Sequence, residues 1–204
     1  MNNTGKHYHH GDLKAAILKR AAEVIEAQGI EALSLRGIAR DLSVSHGAPN
    51  RHFKTKSDLL AALATDGWEQ ITRATLRAAE QVQPQKPRHR LNAMGRGFLS
   101  WALANKSAFI AVTHPDVERH ADAALKQAIQ AFQVTIREAV MAAQQDGRNE
   151  DVDLAALTIF TNSVPFGAAM LILNPWSKPV GESKDMEKLI GNIIDLVVPI
   201  EDVT

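Results

Sequence analysis

Apolar residues recur along this chain at spacings of three and four, as on one face of an α-helix, and no stretch alternates like a strand. A first helix is expected after Asp12, an N-cap residue, with Leu13, Ile17, Ala21, Val24 and Ile25 on its apolar face and Gly29 as its left-handed stop. Ser34 caps a second, shorter helix in which Leu35, Ile38, Ala39 and Leu42 share a face. A third begins at Ser45 and carries Pro49 in its first turn, where a missing amide costs least. Residues 59–82 read as one long helix, broken by Gln83-Pro84-Gln85-Lys86-Pro87. Helices are also expected over 91–104, 108–113 and 122–145, the last ended by Gly147. Residues 153–173 are apolar nearly all round, whereas Met186, Leu189, Ile190, Ile193, Ile194 and Val197 form a single stripe stopped by Pro199. The pattern predicts an all-α chain without an internal repeat.

Residues 34–53 carry the most specific chemistry. Two short helices joined by Ser43-Val44-Ser45 make a unit that can set its second helix into the DNA major groove. Val44 tucks under the turn and Phe53 closes the core, leaving Ser45, His46, Gly47, Ala48, Asn50, Arg51 and His52 facing outward. Small residues at the start let the backbone approach base edges. Ser45 and His46 offer donors and acceptors, and Ala48 suits a thymine methyl. Asn50, Arg51 and His52 suit phosphates. Thr55 and Asp58 stand at capping-box spacing, with Asp for the usual Glu or Gln. The helix start beside Lys56 is a phosphate site. A plain helical hairpin with a solvated basic face has the same pattern, so the flanking sequence must decide.

Residues 1–60 hold nine Lys or Arg against six acids, in a chain whose formal net charge is zero. The surplus has the sign and place that a DNA backbone needs. His7, His9 and His10 precede the first helix, but with no cysteine in the chain and only Asp12 close by they make no closed tetrahedral set. An arm lying along phosphate or the minor groove is the better reading than a metal site. The 204 residues, 45% hydrophobic with few aromatics, suit one large or two small domains of closely packed helices. The absence of cysteine excludes disulfides and thiol chemistry. The polar N-terminus is unlike a signal peptide, and the longest apolar-rich stretch, residues 164–173, contains Pro165 and is too short to span a bilayer. A cytoplasmic location and no membrane partner are expected.

Three stretches together resemble the TetR family of bacterial transcriptional regulators: the first helix ending in Gln28-Gly29, then Leu33-Ser34-Leu35-Arg36-Gly37-Ile38-Ala39, then Val44-Ser45 through Arg51-His52-Phe53 with Lys56 and Leu59-Leu60. The resemblance implies an N-terminal three-helix DNA-binding domain over residues 1–60, with Arg36 as a further DNA contact, and a larger helical ligand-binding and dimerisation domain over 61–204. Two departures stand out. Asn50 occupies the place of a tyrosine that commonly contacts phosphate, and Ser43 that of a turn glycine.

By the same resemblance the chain is a regulator, a repressor in the main reading, that binds a palindromic double-stranded operator as a homodimer. The last two helices, 153–173 and 185–198, pair two copies, and a small-molecule effector releases the DNA. Candidate lining residues are the large or polar groups in otherwise apolar helices: Phe98, Trp101, Phe109, His114, Phe132, Asn162, Phe166 and Met170. Of the Trp-x-x-x-His-Gly signature of some relatives, Asn162, Phe166 and Gly167 keep only the glycine. No phosphate loop, nucleophile set or paired carboxylates stand out, so no enzyme and no cofactor are expected; Glu118, His120 and Asp122 read as a solvated charged run. The competing class is a helical module that binds small molecules or proteins without specific DNA binding.

Overall fold

Short polar side chains open several of the helices that the periodicity predicts. In the computed structural model, which describes residues 10–119, 121–174 and 185–200, the order is α1 (His10–Gln28), α2 (Leu35–Asp41), α3 (Lys56–Gln81), α4 (Pro87–Ala104), α5 (Lys106–Thr113), α6 (Pro115–Arg119), α7 (Ala123–Gln145), α8 (Leu154–Leu173) and α9 (Met186–Val197). Single 3-10 turns lie at Ile30–Ala32 and Pro49–Arg51. Asp122, Asp153 and Asp185 accept from the backbone N–H three residues on at 2.8–2.9 Å, and so cap α7, α8 and α9. Among the described residues there is no strand. Several starts differ from expectation. α1 already contains His10, so Asp12 lies in its first turn rather than before it. α3, α4 and α5 begin at Lys56, Pro87 and Lys106, two to four residues early, and α6, within which Glu118 falls, was not expected. His7 and His9 lie outside the described residues, as do His120 and the Glu118 side chain.

The chain divides into two compact units, one formed by residues up to Gly67 with Ser107–Leu125, the other by Trp68–Lys106 with the residues from Lys126 onward. The first unit therefore has two chain segments, and the boundary expected at residues 60 and 61 falls inside α3. In it α1 packs on α2 and on the Pro49–Arg51 turn. Ile17, Ala21, Ile25, Ile38, Ala39, Phe53 and Leu59 are buried. Arg20 braces α1 to the end of α2, donating from Nε and Nη2 to Asp41 at 3.0 Å each and from Nη1 to Glu23 at 2.9 Å.

In the second unit α4 packs on α8 and α9, which pack on each other. Gly97 permits the approach of α4 to α3, because a Cβ there would stand 2.8 Å from Ala78 Cβ and 2.9 Å from the Ala74 carbonyl. Leu91, Phe98, Leu99, Phe132, Ile136, Val140 and Ile194 are buried, each Leu or Ile contributing roughly 1.5–3 kcal/mol. The apolar stretch is longer than residues 164–173 and is not too short to span a bilayer. All of α8 is uncharged, and its 18-residue window has mean hydropathy 1.7, so by length and composition it could cross a membrane. Thr158, Thr161, Asn162 and Ser163 hid this by interrupting the run of apolar letters without adding charge.

Candidate nucleic-acid interface and effector cavity

The helix-turn-helix segment is fixed at its start, middle and exit by its own short polar groups. Ser34 Oγ accepts from the Gly37 N–H at 3.1 Å and caps α2. At the far end Ser43 N–H donates to the Arg40 carbonyl and Val44 N–H to the Ala39 carbonyl, both at 3.0 Å, which is the Schellman pattern. Its left-handed position, with φ 55°, is held by Ser43 instead of glycine. At the exit Asp58 Oδ2 accepts from Lys54 and Thr55 N–H at 3.0 Å each, while Thr55 Oγ1 accepts from Asp58 N–H at 3.1 Å. This completes a capping box whose reach-back residue is Asp.

The second element is not the α-helix expected from Ser45 onward. Residues 46–48 form turns and only Pro49–Arg51 is helical, of 3-10 type and without a side-chain cap. The donors explain the change. Pro49 has no N–H to give the Ser45 carbonyl, which instead takes Ala48 N–H at 2.9 Å. Gly47 adds weak helix propensity. The Pro49 carbonyl then receives both His52 and Phe53 N–H at 2.9 Å, and the buried Pro49 and Phe53 anchor the segment from behind.

Arg36, Ser45, His46, Gly47, Asn50 and Arg51 are exposed, and Ala48, His52 and Lys56 are half-buried. A Cβ on Gly47 would meet nothing within 4 Å, so no internal packing requires this glycine. The surface offers cations, hydroxyl, imidazole and amide groups around a bare stretch of backbone, a composition suited to phosphates and base edges.

The second unit encloses a mainly apolar cavity lined by residues of α4 (Leu91, Met94, Gly95, Phe98), α7 (Phe132, Ile136), α8 (Thr161, Asn162, Pro165, Phe166) and the α9 end (Ile194, Val197, Val198). Its volume is about 20 Å³, room for about one water. An aromatic cluster fills the remainder: Phe98 and Phe166 centroids are 4.5 Å apart, and Trp68 and Phe132 centroids 5.2 Å. Of the lining residues expected from sequence, Phe98, Phe132, Asn162 and Phe166 meet here. The other four do not line it. Trp101 Nε1 donates to Gln70 at 3.2 Å, Phe109 is buried and belongs to a segment of the first unit, His114 Nδ1 accepts from the Asp116 N–H at 3.2 Å, and Met170 is exposed.

Sequence reasoning passed over Arg148. It follows Gly147 (φ 91°) in a second Schellman turn, with Gly147 N–H on the Gln144 carbonyl and Arg148 N–H on the Ala143 carbonyl, both at 3.1 Å. The side chain is buried; Nη2 donates to the Val197 carbonyl at 2.8 Å and lies 3.5 Å from Thr161 Oγ1. Burial pulls its pKa below the ordinary arginine value. Among the described residues no group of three or more His, Cys, Asp or Glu is placed to hold a metal.

Capped helices, a strained tight turn and an exposed basic segment in an all-α chain define a helix-turn-helix regulator fold. Residues 17–63 match the family model of bacterial regulatory proteins, tetR family, and the chain carries that family's N-terminal domain. A protein of unknown function from Rhodococcus sp. RHA1 is similar over 95% of this chain and 97% of its own, with 27% identity and TM-score 0.76. A tetR-family regulatory protein from Rhodococcus RHA1 is 20% identical over 91% and 94% of the two chains, with TM-score 0.73. AibR, in complex with isovaleryl coenzyme A and operator DNA, is 21% identical over 91% and 98%, with TM-score 0.66. No curated protein matches the sequence.

Proposed function

We propose that this protein is a ligand-responsive transcriptional repressor that binds a palindromic operator as a homodimer and leaves it when a small molecule occupies the second unit. The observation that carries the reading is the helix-turn-helix segment, capped at Ser34 and Asp58 and exposing Arg36, Ser45, His46, Gly47, Asn50 and Arg51. Ala48, His52 and Lys56 complete the proposed DNA surface. AibR, with operator DNA and a small molecule bound together, supports the pairing of the two roles. No catalysis and no cofactor are assigned, and the site of action is the cytoplasm.

The dimer is inferred from the apolar surface of the last two helices. Ile159, Phe160, Met170 and Leu171 of α8 and Leu196 of α9 are exposed, Ile159 to 69% and Leu196 to 84%. Ser163 and Gly167, both small, lie on the same side of α8 at helical spacing and let a second copy come close. Two identical readers one helical turn apart then select a two-fold operator. The ligand needs only to bind the DNA-competent and DNA-incompetent arrangements unequally.

Sequencing DNA fragments selected by the purified protein tests the reading. An inverted repeat with half-site centres one helical turn apart, bound by a dimer that Leu196→Glu dissociates, is the expected outcome. No enriched sequence would favour the second reading, a binding module without specific DNA contact, for which Asn50 in place of the family's tyrosine speaks. Partition of the protein into vesicles through α8 would instead contradict the dimer.

A further inference from the structure

Arg148 occupies the turn position that ordinarily carries an apolar residue packed back on its helix. It is 6% exposed, and among the described residues no carboxylate offsets the burial of its charge. Its Nε and Nη1 are buried without a hydrogen-bond partner, while Nη2 holds the Val197 carbonyl and, at the limit of the range, Thr161 Oγ1. The partial negative charge at the end of α9 is roughly half a unit and does not neutralise the guanidinium. A cation so placed is costly unless something pairs with it. Both of its acceptors line the cavity between α4, α7, α8 and α9, which sets the guanidinium directly behind that wall, outside the present lining.

We propose that this cavity binds an apolar monocarboxylate, a fatty or arylalkyl acid, with its carboxylate on Arg148 and its hydrocarbon against Phe98, Phe132 and Phe166. The proposal rests on the reading that the second unit holds the effector. The unpartnered Nε and Nη1 are charged donors that a carboxylate oxygen accepts from one at a time, since both planar forks of a guanidinium use Nη2, which holds the Val197 carbonyl. An alcohol can satisfy Thr161 and Asn162 but leaves the guanidinium uncompensated, and an amine is repelled. Because the cavity as it stands holds about one water, the hydrocarbon must part the Phe98–Phe166 contact to enter. Entry therefore repacks α4 against α8, a change through which the ligand can favour one arrangement.

The full chain is titrated calorimetrically with butanoate through dodecanoate and with 3-phenylpropanoate, each beside its alcohol, amine and coenzyme A thioester. For the best-fitting chain the acid should bind saturably and at least about tenfold tighter than its three counterparts. Arg148→Met should remove that preference while leaving alcohol affinity unchanged, and Arg148→Lys should keep it in weakened form. If Arg148→Met does not fold, the lysine variant alone decides: loss of its preference for acid over alcohol overturns the proposal. Equal binding of acid and alcohol, tighter binding of the thioester, unchanged acid binding in Arg148→Met, or no binding at all also overturns it. DNA binding of the same ligand-free preparations is measured in parallel. Acid binding without DNA binding sinks the regulator reading alone, and DNA binding without acid binding sinks this one alone.

Discussion

The chain leaves α2 and α7 through the same pair of backbone hydrogen bonds, yet the two turns depart from the usual residues at different positions. After α2 the left-handed position holds Ser43 and the next holds Val44, the expected apolar residue. After α7 the left-handed position holds the expected glycine, Gly147, and the next holds Arg148. The first departure stores backbone strain inside the segment that would face DNA; the second buries a cation beside the cavity that would hold a ligand. A shared backbone pattern thus leaves two positions at which function can override local preference.

Substitutions at the two left-handed positions test this comparison. Gly147→Val forces a β-branched residue into the left-handed region and is expected to cost about 1–3 kcal/mol in urea denaturation. A Cβ there meets only Glu150 Oε1, at 3.6 Å, an ordinary contact, so the backbone carries the loss at that atom. Wild-type stability in this variant would show that the second turn does not need its glycine.

If the capping box holds the strained first turn in place, Asp58→Ala removes the two hydrogen bonds its carboxylate accepts and should lower stability by about 1–2 kcal/mol, with a parallel fall in DNA affinity. Lost stability with full affinity would separate the cap from the recognition segment. The smallest effect is expected from Ser43→Gly, which relieves the strain but enlarges the freedom of the unfolded chain, for a net gain of about 0.5–1 kcal/mol. A lower melting temperature in this variant would mean that Ser43 is held by something other than its backbone hydrogen bonds.

Local rules made much of this legible in the sequence. Ser34, Gly29, Ser43 and the Thr55–Asp58 pair act within a few residues of themselves, so their types and spacing sufficed to place them. The segment around Pro49 did not follow, because its form depends on which carbonyl loses a donor as well as on where proline is tolerated. Helical periodicity shows that a residue faces inward but not what it meets there. Trp101 turns to Gln70 and Phe109 belongs to a segment of the first unit, while Phe98, Phe132 and Phe166 converge on one another. The sequence marks Arg148 only as a cation directly after a helix-ending glycine, which does not tell burial from exposure.

The central claim is that the segment from Ser45 to Lys56 grips operator DNA through its backbone. The most direct test is the salt dependence of binding to the selected sequence, measured for the wild type, Arg51→Ala and Lys56→Ala. Each substitution should weaken binding and reduce the slope of log affinity against log salt by about 0.9, the loss of one phosphate contact. Affinity and slope unchanged in both variants would contradict the account.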